Sequence, residues 1–314
     1  MKKAISVLIA IIMIFSLASC SDNKSNSSTT GSQASSVGEK IKDRQGNEIE
    51  IPSQLNKIIS TSPSNTEILV GLGLAEKIIA TDTFSTDIKE LKSDITKFDM
   101  QNLDMEKIIA LKPDAIFVNE ISLAGEKDKY KLLKDSGIQV IYIPAATSLQ
   151  NIMDDITFIS KYTKTEAKGT EYVNNIKSTM DNVSGKVKLL SSNPPKVYFE
   201  ISAAPYLYSV GKNTFLNEII TLCGGVNIYA DQDSWIANTE ESVFKANPDI
   251  ILSSVSYDGY SYKEILSRNG WNVVNAVKNN KVYLVDANST SRASQNIVKG
   301  IMDIAKALHP DLFE

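Results

Sequence analysis

Two glutamates, Glu106 and Glu241, occupy matching positions in the two halves of this chain. Each lies seven residues before a proline, Pro113 or Pro248, that is followed by aspartate. Ionised carboxylates form strong hydrogen bonds with guanidinium groups, so a matched pair could bind a matched pair of arginines on another molecule. The simpler interpretation is that each glutamate opens a helix and is stabilised by the helix dipole. The two interpretations are compatible, since one exposed first-turn glutamate can do both.

The sequence has few residues suited to catalysis or metal binding. The single histidine, His309, follows a predicted C-terminal helix and precedes Pro310, whereas zinc or iron sites built from imidazoles need several. A hydrolase needs a nucleophile with a general base, and the sequence contains no Gly-x-Ser-x-Gly elbow. Neither Ser62–Thr66 nor Gly211-Lys212 has the pattern of a phosphate-binding loop, so both are interpreted as helix caps. We expect no catalytic residue, no resident metal and no cofactor.

Aromatic side chains are the main candidates for contact with a small molecule. Trp235 follows a polar stretch, Asp231–Ser234, and Tyr206 and Tyr208 come shortly after the first predicted strand of the second half. Phe84, in the loop after the second strand, is the candidate from the first half. Rings in such loops can line a binding site. Packing in the core is the alternative for Trp235.

The elements that position these residues come from an internal repeat. The matching segments of the first and second halves are 57–60 and 196–199 (a strand), 65–73 and 213–225 (a helix ending in glycines), 108–118 and 243–252 (a helix tail, Pro-Asp and a buried strand), and 136–143 and 279–285 (a strand). Each half therefore has the order strand–helix–strand–helix–strand. That order predicts a parallel sheet covered by helices in each half.

The stretch between the halves has helical character. Residues 148–190 contain no proline, and apolar residues recur at helical spacing, beginning with Ile152, Ile156 and Ile159. We predict one or two long helices that cross from one half to the other, with a break near residues 163–165.

Two further elements are predicted, one before the first half of the repeat and one after the second. Residues 41–51 alternate around a Gly-Asn turn, which predicts a small hairpin. A closing helix is predicted over 294–308, and Arg292 lies just before it.

The N-terminus predicts export and lipid attachment. Lys2 and Lys3 precede an apolar run over residues 4–15, and small residues then lead to Cys20. This is the layout of a secretory signal, and the final four residues resemble the bacterial lipobox, in which the cysteine receives lipid. A plain membrane anchor is the alternative, but the run is short for a span of about 20 apolar residues. Ser, Asn, Thr and Gly dominate residues 21–36, as is typical of a flexible tether.

The composition is that of a folded protein without nucleic-acid affinity. Hydrophobic residues make up 42% of the chain, enough for two cores. Removing the signal with its two lysines leaves 31 basic and 37 acidic residues, a net charge of −6, whereas nucleic-acid binding favours a basic face. If Cys20 is lipidated, Cys223 has no disulfide partner in the chain. No later segment is long and apolar enough to cross a membrane.

Four segments follow one another in the order found in one known family. They are Ser62–Glu67, Ala110–Asp114, Gly211–Phe215 and Cys223–Ile228. As a set they resemble the helical-backbone substrate-binding proteins of ABC importers, the group that handles cobalamin, ferric siderophores and haem. The resemblance covers roughly residues 41–313.

The resemblance implies an α/β fold of two Rossmann-like lobes, each with a parallel sheet, joined by a long rigid α-helix. It also implies that the ligand cleft lies between the lobes and that the lobes close little when the ligand binds. Such interdomain clefts are favoured places for small-molecule sites. The predicted divisions are 1–19 for the signal peptide, 20–38 for the tether, 39–147 for the N-terminal lobe, 148–192 for the connecting helix region and 193–314 for the C-terminal lobe.

The resemblance also implies roles for particular residues. In the family, glutamates at the positions of Glu106 and Glu241 form salt bridges with arginines of the membrane permease, and a dimeric permease suits their twofold relation. Cobalamin binders place a stacking tryptophan at the position of Trp235 and a second aromatic at that of Met100, where this chain departs. Siderophore binders often have an Arg-Pro-rich segment where this chain has Arg292 without the usual proline.

The expected function is therefore that of a lipid-anchored, extracytoplasmic substrate-binding protein. It would capture cobalamin or a related corrinoid and deliver it to a permease dimer with its ATPase subunits; a ferric siderophore or haem is the alternative ligand. A surface hydrolase and a lipoprotein sensor or adhesin are the competing classes, and neighbouring permease and ATPase genes would separate transporter from sensor. The candidate ligand-binding residues are Trp235, Tyr206, Tyr208, Arg292, Met100 and Phe84.

Overall fold

Two parallel β-sheets, one from each half of the chain, carry the structure. The strands are β1 (Lys40–Lys42), β2 (Glu48–Glu50), β3 (Ile58–Ser60), β4 (Ile78–Asp82), β5 (Thr96–Phe98), β6 (Ala115–Val118), β7 (Gln139–Tyr142), β8 (Lys196–Glu200), β9 (Tyr208–Val210), β10 (Val226–Asn227), β11 (Trp235–Ala237), β12 (Ile250–Ser253) and β13 (Val282–Leu284). The first sheet has the order β5-β4-β3-β6-β7 and the second β10-β8-β12-β13. All neighbouring strands in both sheets are parallel. The predicted α/β class with two parallel sheets is confirmed.

Helices lie between successive strands and link the two halves. They are α1 (Pro63–Gly71), α2 (Met105–Leu111), α3 (Lys131–Asp135), α4 (Leu149–Tyr162), α5 (Glu166–Val187), α6 (Phe215–Leu222), α7 (Glu240–Ala246), α8 (Tyr262–Ser267), α9 (Asn275–Lys278), α10 (Ala287–Ser291) and α11 (Ile297–Leu308), with short 3-10 turns at Ala75–Lys77 and Trp271–Val273.

The computed structural model describes residues 39–44, 46–119, 128–190, 193–257 and 259–313. The predicted signal peptide, the tether and the lipid attachment site at Cys20 lie outside these residues. Within the described ranges, no helix is both long and apolar enough for a membrane span.

The Pro-Asp element of the repeat has the same structural role in both halves. In each half it follows a seven-residue helix, α2 or α7, and leads into a fully buried strand, β6 or β12. The carboxylate of Asp114 accepts the backbone N–H of Lys57 at 2.8 Å, and that of Asp249 accepts the N–H of Lys196 at 3.0 Å. Each aspartate thus fixes the start of the strand next to its own.

The region between the halves forms two helices rather than one. α4 and α5 are separated at residues 163–165, where Lys164 adopts a left-handed conformation (φ +58°), as the sequence predicted. Ile152, Ile156 and Ile159 of α4 are fully buried. The 22 residues of α5 extend about 33 Å at about 1.5 Å per residue.

One apolar core runs through both halves and holds them together. It includes Ile58 of β3, Ile156 of α4, Ile219 of α6 and Ile304 of α11. Two smaller clusters are each confined to one half, on the opposite face of its sheet. Because the larger core is shared, the two halves cannot separate without exposing apolar surface to water.

The contact between α4 and α5 depends on a glycine. A Cβ atom on Gly169 would lie 2.4 Å from the Cβ of Ser160 on α4 and 2.2 Å from its Oγ. Gly185, on the same helix, has nothing within 4 Å of the corresponding position and is exposed. The two glycines therefore separate the effect of helix packing from that of helix propensity.

Gly169→Ala is expected to lower the free energy of unfolding by about 1–3 kcal/mol, because the added methyl group overpacks the α4–α5 contact. Gly185→Ala, its matched control, should raise that free energy by up to about 1 kcal/mol, since alanine favours the helix more than glycine does. Urea denaturation of both variants measures the two effects. Equal shifts in the two variants would contradict the packing role of Gly169.

Candidate functional site

Two candidate ligand residues of the first half lie on neighbouring loops. Phe84 comes two residues after β4 and Met100 two residues after β5, and Asp82 pairs with Phe98 at the ends of these strands. Both loops are therefore at the carboxyl edge of the sheet, the edge where ligands of open α/β sheets bind. The Phe84 side chain is 61% exposed, so it is available to another molecule.

Three candidate aromatic residues of the second half lie on or beside one two-stranded ribbon. Tyr208 is in β9 and Trp235 is in β11, and these strands form an antiparallel ribbon in which Trp235 is opposite Val210 and Ala237 opposite Tyr208. Tyr208 and Trp235 are thus diagonal neighbours on one face of the ribbon, within reach of each other for aromatic side chains. Trp235 is 46% exposed and Tyr206, in the loop before β9, is 80% exposed.

A further exposed aromatic, Tyr257, was not predicted from the sequence. It lies in the loop after β12, is 59% exposed, and its ring packs against that of Tyr260 with centroids 5.0 Å apart. It lines a shallow cavity of about 450 Å³ with residues 201–204 and 254–256, which follow the carboxyl ends of β8 and β12. It lies four residues after the end of the buried strand β12, in a polar loop that has no periodicity to mark it in the sequence.

Arg292 connects the two halves through carboxylates. Its guanidinium donates to Oε1 of Glu67 at 2.8 Å, to Oδ1 of Asp87 at 2.8 Å and to the carbonyl oxygen of Phe84 at 3.1 Å. Burial raises the pKa of Asp87, but the hydrogen bond and charge of Arg292 outweigh this and hold that pKa below its ordinary value. Only 11% of the Arg292 side chain is exposed, so in this structure it serves an ion-pair network. Its ligand-binding role stays a prediction.

Glu67 of α1 is the centre of that network. Its Oε2 accepts the hydroxyl of Ser294 at 2.5 Å and the amide of Asn296 at 2.9 Å, and its backbone oxygen accepts the side-chain amide of Gln295 at 2.9 Å. The segment just before α11 is thereby attached to the first half. A cavity of about 490 Å³ lies beside this attachment, between α1, α10 and α11.

A second carboxylate–arginine network lies at the carboxyl edge of the other sheet. Glu200, the last residue of β8, is fully buried and accepts Arg268 at 2.6 and 2.9 Å. Arg268 also donates to Glu264 at 2.6 Å and lies over the ring of Trp271. Burial lowers the pKa of the Arg268 guanidinium, but the hydrogen bonds to Glu200 and Glu264 have the larger, opposite effect. The pKa of Arg268 is therefore above the usual arginine range. The Tyr260 hydroxyl donates to Glu200 at 3.0 Å and links this network to the Tyr257 ring.

The remaining arginine, Arg44, is also paired. It donates to Asp155 of α4 at 2.9 and 3.0 Å. Burial raises the pKa of Asp155 to about 6, although the hydrogen bond from Arg44 partly opposes this. The chain contains three arginines, Arg44, Arg268 and Arg292, and each forms an ion pair inside the molecule.

Glu106 and Glu241 occupy equivalent exposed sites. Each is the second residue of its helix, α2 or α7, and both side chains lie on the surface. The helices begin with matching caps, in which the side chain of Asp104 accepts the N–H of Lys107 and that of Thr239 accepts the N–H of Ser242. Hydrogen bonds from its own backbone N–H and from Thr239 lower the pKa of Glu241. The first-turn placement that the helix-dipole interpretation requires is present in both helices.

The segments interpreted as helix caps have that role. Ser62 caps α1 by accepting the N–H of Asn65 at 3.4 Å, and Thr214 caps α6 by accepting the N–H of Asn217 at 3.2 Å. His309 is hydrogen-bonded to the backbone oxygen of Cys223 at 2.8 Å, remote in the chain from every candidate above. Among the described residues, no cluster of three or more His, Cys, Asp or Glu side chains could hold a metal ion.

Comparisons with known proteins place this geometry in a family. A family model described as periplasmic binding protein matches residues 58–289. An uncharacterized ABC transporter substrate-binding lipoprotein, YvrC of Bacillus subtilis (strain 168), is 33% identical over 98% of this chain and 97% of its own. The vitamin B12-binding protein of Vibrio parahaemolyticus is 25% identical over 80% of this chain and 89% of its own.

A solved structure agrees with these sequence matches. A possible iron-binding (periplasmic solute-binding) protein from Staphylococcus epidermidis ATCC 12228 is 32% identical, with a TM-score of 0.65, over 82% of this chain and 100% of its own. The family model covers most of the chain, and the similarity to the Bacillus protein runs along nearly its whole length. The chain therefore belongs to the periplasmic binding protein family.

Proposed function

We propose that this protein is the extracytoplasmic, lipid-anchored substrate-binding component of an ABC importer, and that it captures cobalamin or a related corrinoid for delivery to a membrane permease. The observation that carries the proposal is the set of exposed aromatic side chains at the carboxyl edges of two parallel sheets in a chain of this family. Those rings offer apolar contact area to a ligand at a place where open α/β sheets bind small molecules.

The two carboxyl edges meet through contacts on one side of the molecule. The side chain of Asn288, in α10 after β13, donates to Asp87 at 2.6 Å, and Arg292 donates to the Phe84 carbonyl oxygen. The loop after β4 and the segment after β13 are therefore in direct contact. This juxtaposition supports a ligand site formed jointly by both edges, with Phe84 and Met100 on one side and Tyr206, Tyr208 and Trp235 on the other.

A corrinoid is favoured because its broad, flat ring system suits stacking on aromatic faces. The half-exposed Trp235 on the β9–β11 ribbon can supply such a face, and aromatic contacts contribute beyond the area they bury. The similarity to proteins named for binding vitamin B12 supports the same ligand. No histidine of this chain is near the candidate loops in sequence, so recognition would use the ring and its periphery.

A ferric siderophore, or haem, is the second candidate. The supporting observation is the possible iron-binding protein from Staphylococcus epidermidis, which is 32% identical to this chain and thus more similar in sequence than the Vibrio protein.

Binding without catalysis fits the described side chains. Arg268, Glu200 and Tyr260 form a polar cluster at the candidate edge, but their donors and acceptors are already used in mutual hydrogen bonds. Cys223 is buried, and burial raises its pKa to about 12, so its thiol is a poor nucleophile at neutral pH.

Replacing Trp235 by alanine should weaken cyanocobalamin binding about tenfold or more, because an exposed tryptophan at a site centre commonly contributes that much. Isothermal titration calorimetry with cyanocobalamin and cobinamide measures the loss. The control is Leu132→Ala, which removes an exposed apolar side chain (51% exposed) from α3, a helix that carries no candidate residue. A native chain that binds a ferric hydroxamate and gives no heat with either corrinoid would overturn the corrinoid assignment.

Docking to the permease is proposed for Glu106 and Glu241. Their equivalent positions on α2 and α7 place one carboxylate on each half of the molecule, and both are exposed. A pair of this kind suits a partner with twofold symmetry. Charged side chains in a docked interface contribute both to its affinity and to its orientation.

The double variant Glu106→Gln/Glu241→Gln should lose ligand uptake in cells while keeping native ligand affinity in calorimetry. Each single variant should lose less, since one ion pair remains; removing one partner of a desolvated pair costs about 2–5 kcal/mol. Glu166→Gln is the matched control, because Glu166 is an exposed first-turn glutamate of α5 and shares only the helix-dipole role. Normal uptake by the double variant would exclude docking through these residues.

Lipid attachment at Cys20 is tested by Cys20→Ala, which should remain unprocessed or be released from the membrane fraction. The other cysteine gives the control: Cys223→Ala should be processed and retained like the native chain. Membrane fractionation with mass spectrometry of the N-terminus distinguishes these results. A Cys20→Ala chain that is processed and retained normally would refute the lipoprotein assignment.

A further inference from the structure

We infer that the ligand taken up at the carboxyl edges carries no net negative charge, so that neutral or cationic complexes bind and polyanionic ones are rejected. This inference rests on the proposed function, in that it concerns the ligand of the same site. It separates corrinoids and neutral or cationic ferric hydroxamates from ferric tris-catecholates and haem, whose carboxylate or catecholate groups carry negative charge.

The first observation concerns the guanidinium groups. Arginine is well suited to a polyanion, because its fork of N–H donors matches carboxylate and catecholate oxygens. All three arginines of this chain are within the described residues, and all are ion-paired: Arg44 to Asp155, Arg268 to Glu200 and Glu264, and Arg292 to Glu67 and Asp87.

The second observation is that the pairing at the two edges leaves an excess of negative charge. Each edge has a triad of one guanidinium and two carboxylates: Glu67, Asp87 and Arg292 in one, Glu200, Glu264 and Arg268 in the other. Counted at formal charges, each triad carries a net charge of −1. The paired arginines of the two edges therefore add no net positive charge that would attract an anion.

The third observation is that each triad is connected, by a hydrogen bond or through a second ring, to a residue whose aromatic side chain is exposed. Arg292 donates to the backbone oxygen of Phe84, and Asp87 is three residues further along the same loop. Glu200 accepts the hydroxyl of Tyr260, whose ring packs against Tyr257. A ligand that contacts Phe84 or Tyr257 would therefore be close to a triad.

The arginines cannot readily turn to an anionic ligand. Arg268 is 6% exposed and its partner Glu200 is fully buried, so withdrawing the guanidinium would leave a buried carboxylate without compensation, at a cost of several kcal/mol. Glu67 is buried to a similar degree with Arg292.

Titration with probes of graded charge tests the inference. The panel is cyanocobalamin and ferrichrome as neutral probes, ferrioxamine B as a cationic probe, and ferric enterobactin and haemin as anionic probes, each followed by calorimetry at two salt concentrations. We expect at least one neutral or cationic probe to bind, with no binding of the anionic probes at matched concentration. Affinity for a cationic probe should fall as salt rises.

Charge variants test the triads themselves. Glu264→Gln and Asp87→Asn each remove the more exposed carboxylate of one triad while leaving the buried ion pair intact. Each should shift the affinity ratio between anionic and cationic probes by about threefold toward the anion, and the double variant by about tenfold. The control is Glu171→Gln, which removes an exposed glutamate ion-paired with Lys168 on α5 and should leave the ratio unchanged.

The outcomes separate this inference from the corrinoid assignment. The inference that the ligand has no net negative charge is called the charge rule here. If ferrichrome or ferrioxamine B binds and cyanocobalamin does not, the corrinoid assignment fails and the charge rule stands. If ferric enterobactin or haemin binds the native chain as tightly as a neutral probe, the charge rule fails whatever the corrinoids do. The charge rule is also overturned if no neutral or cationic probe binds. It is equally overturned if the triad variants and Glu171→Gln shift the affinity ratio between anionic and cationic probes by the same amount.

Discussion

The buried carboxylate of Glu67 is the interaction on which the arrangement of the two halves depends. A charge with 8% of its side chain exposed is tolerated only when it is paired and hydrogen-bonded, and every partner of this one comes from the segment that precedes α11. Arg292, Ser294 and Asn296 all point back to α1. Because this one buried charge must be satisfied, residues 292–296 of the second half are held against α1 of the first half.

The shared apolar core acts in the same direction as this polar attachment. α4 and α11 each contribute fully buried isoleucines to a cluster that includes strands of both sheets, and the N–H of Leu149 at the start of α4 donates to Glu218 of α6 at 2.7 Å. Apolar burial is non-directional, so it joins the halves without setting their register. The directional bonds of Glu67 and Glu218 supply that register.

The repeat made the fold predictable, because each Pro-Asp pair and each glycine-terminated helix is a signal that can be recognised in a short stretch of sequence. The break at residues 163–165 and the caps at Ser62 and Thr214 were accessible for the same reason. The partners of Arg292 were not, since Glu67 is 225 residues away in sequence and no local pattern pairs them. Tyr257 was missed because tyrosine in a polar loop has no periodicity to mark it. The roles of the candidate ligand and docking residues remain predictions.

Parallel sheets explain why carboxylates and arginines gather at the carboxyl edges in particular. In such sheets the helix after each strand begins at this edge, so its unpaired N–H groups and the positive end of its dipole are there. Acidic residues are stabilised at such ends, as Asp104 at α2 and Asp286 at α10 are by accepting first-turn N–H groups. The same edges also contain Glu67 and Glu200, which are not helix caps and are paired instead with Arg292 and Arg268. The guanidinium groups of Arg268 and Arg292 are thus engaged by carboxylates of the chain itself, and the exposed rings of Phe84 and Tyr257 lie in loops at the same edges.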